Sequence, residues 1–486
     1  MAAKDHHSGR RLSRPSADFL AKAAFVLSAL LLAFGYGVVT MEYKIFPHAI
    51  LARAQQAKEA LTKVEPKDHP PHYIRDLQAG DTRRIMKPAP VGDDSDLILM
   101  TGGFFYHTDA CPTVGCMAWI MRRDGTVLHR WSADPAVLFN ARDFKGYTGE
   151  TVMENIFVQG VDLDREGNLI VIFEARNIYP DHVGIAKFAP NGRLLWRRID
   201  QSHHWPTVGP DGRIYAPSSR IVPKGPLIDG LPHPPVCRGD RIDQQGVRVL
   251  SPEGKVLHEF WLEDVVRQSG LLAVGYYVRN DCDPFHVNGI ELVDEAAAAK
   301  LRTSAVPDAK PGDMFVSLRA SSTVLLMDSD SGRIKHIIHG PMVEQHSPAL
   351  LPDGDMIIFD NVGAGLGPDQ RSRLLKIAFA PERYEQAFPR PGGDDPHLFS
   401  LREGQVNVSA DGKRALISET EGGRLFEVDL ASGALLWSYR EANDLSAYLT
   451  RVGSADQGKH RVALLHTQGA AYVSSANFSR MFGRAP

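Results

Sequence analysis

A repeated strand-and-turn unit limits the possible folds of this chain more than any other feature. From about Leu97 to Tyr439, short apolar runs of strand type alternate with Asp-Gly and Asn-Gly turns. The third unit, HHWPTVGPDGRIYAPSSR with GVRVLSPEGKVLHEFWL, and the fifth, QHSPALLPDGDMIIFDN with SRLLKIAF, show the shared order of four strands. Such units bury both faces only against their neighbours, so six of them predict an all-β, six-bladed β-propeller with four-stranded blades.

Stacked β-sandwich domains are the alternative to a ring. They require linkers between self-contained cores, and no Pro- or Ser-rich break interrupts the repeated region. The tail HRVALLHTQGAAYVS at 460–474 is expected to supply a closing or capping strand.

An apolar run without a charged residue, AAFVLSALLLAFGYGVVTM at 23–41, is just long enough to cross a bilayer as a helix. Arg10, Arg11, Arg14 and Lys22 precede it, so the positive-inside bias predicts a cytoplasmic N-terminus. A cleaved signal peptide is the alternative, but no small-x-small cleavage site follows the run. We therefore expect a single-pass membrane protein whose remaining residues lie on the periplasmic or extracellular side.

The region between the apolar run and the repeats predicts a short stalk. HAILARAQQAKEALTKV at 48–64 has apolar positions three and four residues apart, and the Pro-rich EPKDHPPHY follows it. The predicted organisation is a cytoplasmic segment at 1–22, a transmembrane anchor at 23–41, a stalk helix and linker at 42–90, and the propeller at 91–486.

Charge and cysteine usage exclude some functions. Lys+Arg 55 against Asp+Glu 58 leaves no global positive field, so a nucleic-acid partner is not expected. The four cysteines contain no Cys-x-x-Cys pair. An exported location permits disulfides between Cys111 and Cys116 and between Cys237 and Cys282, and free buried thiols are the alternative.

Polar residues at equivalent positions of several units indicate a common site. In a propeller the first strand of each blade lines the central channel, and aligning the third and fifth units on their Pro-Asp-Gly turns makes His204 equivalent to His346. The fourth unit opens with His286, and its second strand carries Arg319. These four side chains are expected to meet near the axis, whereas His203 is expected to point to the opposite face by the strand period of two.

Three imidazoles and a guanidinium favour an anion as the ligand. The Arg fork donates two parallel hydrogen bonds to tetrahedral oxyanions such as sulfate or phosphate, and imidazoles can donate as well.

Five segments in order, DPFHVNGIE, GDMFVSLRASSTVLLMD, QHSPALLPDGDMIIFDN, SRLLKI and SETEGGRLFEV, resemble the arylsulfotransferases of the six-bladed propeller type. The resemblance covers roughly 155–439 and implies an aryl-sulfate sulfotransferase that uses no nucleotide, cofactor or metal. It implies that His346 attacks the sulfate ester, carries the sulfuryl group as sulfohistidine and passes it to a phenol by ping-pong kinetics. His286 and Arg319 would bind the sulfuryl oxygens, and His204 would assist the leaving group or bind the ester.

The resemblance also covers a second element of the fifth blade, for which a role in joining strands is at least as well supported as a role in catalysis. This element is left out of the predicted site, and its members are Asp360, Asn361, Ser372 and Arg373.

Two other classes of function stay open at this stage. One is a metal-dependent propeller hydrolase or lyase whose histidines bind the ion, although Arg319 would repel a dication. The other is a membrane-anchored binding propeller without enzymatic activity. The leading hypothesis implies a small-molecule aryl sulfate donor and a phenolic acceptor as partners, and the membrane through the N-terminal helix.

Overall fold

The chain divides into two compact units, Met1–His69 and Pro70–Pro486. In the computed structural model, the residues described are 16–43, 46, 75–76, 84–87, 96–102, 109–112, 114–149, 156–175, 178–223, 241–271, 274, 283–304, 306–362, 371–393, 395–400, 402–420, 422–444, 462–464 and 466–483.

The first unit contains one long apolar helix, α1 (Ala17–Tyr43). At about 1.5 Å per residue its 27 residues exceed the thickness of a bilayer core. Its apolar side chains are exposed, with Phe25 and Leu32 each at 76%. The stretch Ala17–Thr40 is long and apolar enough to cross a membrane, as a signal sequence near an N-terminus also is. The predicted stalk helix at 48–64 lies outside the described residues.

The second unit is a six-bladed β-propeller, which confirms the predicted fold. The second to fifth blades are antiparallel sheets of four strands, each formed by consecutive segments of chain. Their strands are β7 (Ile156–Leu163), β8 (Leu169–Ala175), β10 (His182–Phe188) and β11 (Leu194–Arg198); β12 (Thr207–Val208), β13 (Ile214–Pro223), β14 (Arg241–Leu250) and β15 (Val256–Trp261); β16 (Val287–Leu292), β17 (Met314–Leu318), β18 (Thr323–Met327) and β19 (Ile334–Ile338); and β20 (His346–Leu350), β21 (Met356–Asp360), β22 (Arg373–Phe379) and β23 (Glu382–Phe388).

The sixth blade is larger than the others because further strands continue its outer edge. β28 and β2 pair with its outermost strand β27, and β1 pairs with β28. Its strands are β24 (Gln405–Val408), β25 (Arg414–Glu419), β26 (Arg424–Asp429), β27 (Leu435–Asp444), β28 (Val462–Leu464), β1 (Arg75–Asp76) and β2 (Arg84–Lys87).

The first blade closes the ring with strands from two distant parts of the sequence. Its strand β29 (Gly469–Ser474) pairs antiparallel with β3 (Asp96–Thr101). The sheet continues through β4 (Ala118–Met121) to β5 (Val127–Trp131). The segment expected to close the ring therefore does so, by completing the blade whose other strands come from the start of the repeats.

Few elements lie outside the blades among the described residues. They are the ribbon of β6 (Thr148–Gly149) with β9 (Ile178–Tyr179), and the helices α2 (Pro135–Leu138), α3 (Leu262–Ser269), α4 (Glu295–Thr303) and α5 (Ser475–Phe482).

The hydrophobic cores lie between adjacent blades. One cluster joins Trp131 of the first blade to Phe173 of the second, and another joins Leu326 of the fourth to Ile358 of the fifth. Middle strands such as β8 are buried along their whole length because both faces meet a neighbouring sheet. This face-to-face packing is what the ring of repeats predicts.

The inner strands are also joined by hydrogen bonds along the channel. A polar side chain of the second, fourth and sixth blades accepts a backbone N–H from the next blade. The bonds run from the N–H of Val208 to Asp162 (2.7 Å), of Leu350 to Glu291 (3.1 Å) and of Tyr472 to Asn407 (3.0 Å).

The predicted disulfide between Cys111 and Cys116 is present, with Cα atoms 5.2 Å apart. Both cysteines are buried beside Trp119 in the core between the sixth and first blades. Cys237 and Cys282 lie outside the described residues.

Candidate active site

A cavity of about 240 Å³ lies on the central channel. The inner strands of all six blades contribute to its wall, from Gln159 of β7 to Ala471 of β29. His204 and His346 are part of the wall. The channel therefore gives a ligand access to imidazoles from two blades.

The structure brings the four predicted site residues together. The ring of His204 lies 5.0 Å from that of His286 and 6.4 Å from that of His346, measured between centroids. The backbone N–H of Arg319 donates to the carbonyl oxygen of His286 at 3.0 Å. Residues from three blades thus form one cluster.

Unusual backbone geometry accompanies this cluster. His204 and His286 have positive φ angles of 57° and 50°, and Ser347, beside His346, has 51°. This left-handed conformation costs a non-glycine residue of the order of 1–3 kcal/mol and is concentrated at functional sites. Gly160 allows it at His204, because a Cβ at Gly160 would meet the His204 carbonyl oxygen at 2.4 Å.

The side chain of Asn361 fixes the orientation and tautomer of His346. The Asn361 amide nitrogen donates to the carbonyl oxygens of Ser400 (3.0 Å) and Glu403 (2.7 Å), so its Oδ1 faces the imidazole. That oxygen lies 2.7 Å from Nδ1 of His346 and can only accept, so Nδ1 carries the proton. The lone pair of His346 is therefore on Nε2, where it can act as a nucleophile.

The surroundings of His346 keep the ring neutral. Burial, followed by the positive charge of Arg319, lowers the pKa of His346 to about 3. An imidazole with this pKa keeps its lone pair throughout the physiological pH range.

An acidic partner holds Arg319. Its Nη2 donates to Oε2 of Glu344 at 3.0 Å, and the Glu344 side chain is only 6% exposed. The guanidinium has five N–H donors, so this bond leaves most of them for an anion.

Asp283 holds His286 in the same way, since its carboxylate accepts a hydrogen bond from Nδ1 of the ring. Burial favours the neutral carboxyl of Asp283, but the nearby His286 outweighs it, and the pKa of Asp283 is lowered. The Nε2 atom of His286 is then the ring nitrogen left for a ligand.

Of His203 and His204 only His204 is among the residues of the cavity wall, as predicted, but the two side chains are not separated as on opposite faces of a regular strand. Both residues precede β12, and the positive φ of His204 breaks the alternation of a regular strand. As a result the Nδ1 atoms of His203 and His204 lie 2.7 Å apart.

Glu174 supports the backbone beside His204. Its Oε1 accepts the His204 backbone N–H at 3.1 Å. Burial, together with the charge of Asp181, raises the pKa of Glu174 well above its ordinary value. Burial also lowers the pKa of His204 well below its ordinary value, followed by the charges of His286 and His346. Both Glu174 and His204 are therefore favoured in their neutral forms.

One group of described residues has the donor atoms for a metal ion, namely Glu174, His203 and His204, within 4.8 Å of one another. The fit is poor. Two ligand nitrogens on one tetrahedral zinc lie roughly 3.3 Å apart, whereas the two Nδ1 atoms are at hydrogen-bonding distance, 2.7 Å. Glu174 is also engaged by the backbone of His204. The arrangement is that of a hydrogen-bonded pair rather than a metal centre.

The second element of the fifth blade, left out of the predicted site, divides into two roles. Asp360 pairs with Arg373 at 2.8 Å and accepts the Val343 N–H at 2.8 Å, which joins strands and loops. Asn361 instead contacts His346. The excluded set therefore contained one residue of the site.

A signal for Asn361 was available in the sequence. The Pro-Asp-Gly turn starts the hairpin with Leu350 of β20 opposite Met356 of β21, so counting outward places the end of β21 near the start of β20. A register shift between His346 and Ala349, which the sequence does not show, sets the final pairing of His346 with Phe359 and leaves Asn361 just past the end of β21. The sequence indicated Asp283 and Glu344 less clearly. Each lies in a loop before the first strand of its blade, where the repeat does not fix a position.

The family model described as Arylsulfotransferase (ASST) matches residues 242–442. Over these residues the chain is similar to the arylsulfotransferase family. The match runs from β14 to β27 and includes His286, Arg319 and His346, whereas His204 precedes it. The family resemblance in the sequence is confirmed.

The search of curated proteins finds no match. The solved structures similar to this chain share low sequence identity with it. They include a protein of unknown function from Bacteroides caccae (12% identity, TM-score 0.44, 78% of this chain and 99% of that one), hydrazine synthase from Kuenenia stuttgartiensis (11%, 0.38, 74% and 89%) and virginiamycin B lyase from Staphylococcus aureus (9%, 0.34, 60% and 72%). These similarities are too weak to bear on function.

Proposed function

We propose that this chain transfers a sulfuryl group from an aryl sulfate ester to a phenolic acceptor, with His346 as the nucleophile. The proposal rests above all on the hydrogen bond between His346 and Asn361, which leaves a neutral imidazole with its lone pair on Nε2. A neutral imidazole of fixed orientation beside a guanidinium suits attack on an anionic ester. The match to the arylsulfotransferase family supports the same reaction class.

The reaction consists of two displacements. First, Nε2 of His346 forms a bond to sulfur as the bond from sulfur to the aryl oxygen breaks, and the electron pair leaves with the phenolate. Then the acceptor oxygen attacks sulfur, and the electron pair of the N–S bond returns to His346. The departing phenolate gains one proton and the acceptor phenol loses one, so a full cycle consumes none.

The remaining residues of the site bind the sulfuryl oxygens. Arg319 donates hydrogen bonds to the group as negative charge develops on it, and removing one such donor commonly costs about 3–4 kcal/mol. His286, whose Nδ1 is bonded to the carboxylate of Asp283, contributes its Nε2 to this part of the site. His204, in the cavity wall, binds the ester or its leaving oxygen.

Mass spectrometry tests this proposal directly. The full-length protein is mixed with 4-nitrophenyl sulfate and no acceptor, and its intact mass is recorded before peptide mapping. We expect a gain of one SO₃ group on His346, lost when a phenol is added. His346→Ala should form no adduct, whereas His336→Ala, on the outer strand β19, should behave like the wild type. An adduct that persists in the first variant would contradict the assignment.

A metal-dependent hydrolase or lyase is the alternative that the sequence leaves open, although the donor group formed by Glu174, His203 and His204 fits a metal ion poorly. Elemental analysis of the purified protein separates the two. Stoichiometric metal whose removal by a chelator abolishes turnover would support the metal enzyme. Full sulfuryl transfer after chelation would support His346.

We further propose that α1 anchors the protein and that the propeller lies on the periplasmic or extracellular side. The apolar helix and the basic residues before it support this orientation. The disulfide between Cys111 and Cys116 supports an oxidising compartment. Externally added protease should digest the propeller in intact spheroplasts, and protection of the propeller there would contradict the orientation.

A further inference from the structure

His203 is a buried side chain beside the site to which the proposed reaction gives no role. Its ring is stacked on that of His182, with centroids 4.1 Å apart and planes 22° from parallel. Its Nδ1 lies 2.7 Å from Nδ1 of His204, and it is 1% exposed. Its backbone N–H donates to the carbonyl oxygen of Pro217 at 2.9 Å, which fixes the main chain at this point.

The short contact between the two Nδ1 atoms requires one proton between them. Two lone pairs at this distance would repel, and so would two N–H groups, so one ring donates and the other accepts. Burial is the main reason that the pKa values of both His203 and His204 are lowered, so the pair is neutral. Each ring then carries one proton, and the direction of this hydrogen bond fixes both tautomers.

The surroundings of Nε2 of His203 indicate which of the two rings donates the hydrogen bond between the Nδ1 atoms. This Nε2 is buried and makes no hydrogen bond of regular geometry to a described residue, although the backbone of Ser218 acts on the ring and, against the larger effect of burial, raises its pKa. If His204 donated, His203 would carry its proton on Nε2 as a buried N–H without an acceptor at hydrogen-bonding geometry, which is rare and costly in proteins. If His203 donates, only a lone pair is left without a partner. The Oε1 of Glu174 does not favour the opposite direction, because it is 4.0 Å from Nδ1 of His204 and already accepts a backbone N–H.

We propose that His203 is a positioning residue, which donates from Nδ1 to His204 and thereby holds His204 as the Nε2–H tautomer. His204 lines the cavity, and its Nδ1 is engaged by His203, so Nε2–H is the group available to a ligand there. His204 is then a neutral hydrogen-bond donor to an oxygen of the sulfate ester, a role that rests on the proposed function.

The two equivalent histidines of the third and fifth blades are thus held in opposite tautomers. His346 carries its proton on Nδ1, where Asn361 accepts it, and presents a lone pair. His204 receives a hydrogen bond at Nδ1 and presents a proton. Their ring centroids are 6.4 Å apart, so one sulfate ester can contact a nucleophile on one side and a donor on the other.

Nuclear magnetic resonance tests the tautomer without any reliance on activity. Full-length protein labelled with ¹⁵N-histidine is solubilised in detergent, and the signals of His204 are assigned by their loss in His204→Asn. Two-bond ¹H–¹⁵N correlations should show the His204 proton on Nε2 and none on Nδ1. A proton on Nδ1 of His204 would overturn the inference whether or not the protein transfers sulfuryl groups.

Two variants at His203 test its effect on the reaction. Asparagine can place an amide N–H near the position of Nδ1, whereas leucine fills the space without a donor. We expect His203→Leu to form the His346 adduct at least tenfold more slowly than His203→Asn, when both have the same melting temperature. Equal rates would overturn the role of the donor. Failure of the wild type to form any adduct would instead contradict the proposed function, and the resonance measurement would still decide the tautomer.

Discussion

At the scale of single residues, the site depends on which nitrogen of each ring is already engaged. Nδ1 of His346 is bonded to Asn361 and Nδ1 of His286 to Asp283, so both rings have Nε2 left for a ligand. Arg319 donates to Glu344 from Nη2. The supporting residues thus determine what the four site residues can do.

Removing the oxygen that orients His346 should slow the chemistry. In Asn361→Ala, Nδ1–H of His346 and the carbonyl oxygens of Ser400 and Glu403 each lose the hydrogen bond to Asn361, while the Ser400 oxygen keeps the one from Ser372. We expect adduct formation with an aryl sulfate to fall about 10- to 100-fold, as is typical when a supporting hydrogen bond is lost. We also expect unfolding to become about 1–3 kcal/mol easier, since buried polar groups are left unpaired. Stopped-flow release of 4-nitrophenol and urea unfolding measure the two effects.

The rate of adduct formation and the free energy of unfolding of Asn361→Ala distinguish a role in the reaction from a purely structural role. An adduct rate equal to that of the wild type would show that Asn361 has only a structural role. Asn191→Ala, in an exposed turn, serves as the control and should change neither quantity.

Replacing the guanidinium fork by an ammonium should weaken stabilisation of the sulfuryl group. Arg319→Lys keeps a positive charge near Glu344 but loses the planar pair of donors. We expect kcat for sulfuryl transfer to fall about 100-fold or more, in line with the loss of one transition-state donor. Arg333→Lys, at an exposed pair with Asp308, should leave kcat unchanged. A fall in both variants alike would argue against a special role for Arg319.

The sequence predicted that the four candidate residues would lie close together because a histidine at equivalent positions of repeated units is visible without coordinates. Apart from Asn361, it could not predict the residues that support them. Asp283 and Glu344 act from loops before their strands, and the contact of His203 with His204 depends on one positive φ angle. Local backbone strain of this kind leaves no periodic pattern.

At the scale of secondary-structure elements, the inner strands approach one another closely enough to set the backbone of the site. β7 passes the segment before β12 at Gly160, where a Cβ would lie 2.4 Å from the His204 carbonyl oxygen and 2.7 Å from Cα of Trp205. The absence of a side chain on one strand therefore determines the position of a histidine on the next.

An added methyl group at Gly160 should displace His204. In Gly160→Ala either β7 or the backbone of His204 must move, and such overpacking costs about 1–3 kcal/mol. We expect a lower melting temperature together with slower adduct formation on His346. Gly393→Ala, whose Cβ would meet nothing nearer than 3.5 Å, is the matched control. Wild-type rates in a destabilised Gly160→Ala protein would show that the position of His204 does not limit the reaction.

At the scale of the whole molecule, the ring has titratable contacts between its blades. Asp162 accepts the Val208 N–H between the second and third blades, and burial raises its pKa to about 7. Glu291 does the same between the fourth and fifth blades, and burial raises its pKa to about 7 as well. The repeat predicted the blades and their order, but these contacts depend on which inner residues meet after closure.

The stability of the ring should therefore depend on pH through Asp162. Its pKa in the folded state lies above the ordinary value of 3.8, so the protonated carboxyl is favoured by folding. The resulting stability is fully present below pH 3.8 and is lost as the pH rises through 7, which amounts to about 2–3 kcal/mol between pH 5 and pH 8. Asp162→Asn should lose that much less stability over this range in urea unfolding. Identical pH profiles for the two proteins would contradict the assignment.

The way in which β29 completes the first blade has a consequence for biosynthesis. β29 follows every other strand of the ring in the sequence, yet it occupies the innermost place beside β3. A partly translated polypeptide consequently contains all four residues of the site but cannot assemble the channel around them. We therefore expect the channel to form only after translation has passed residue 474, where β29 ends.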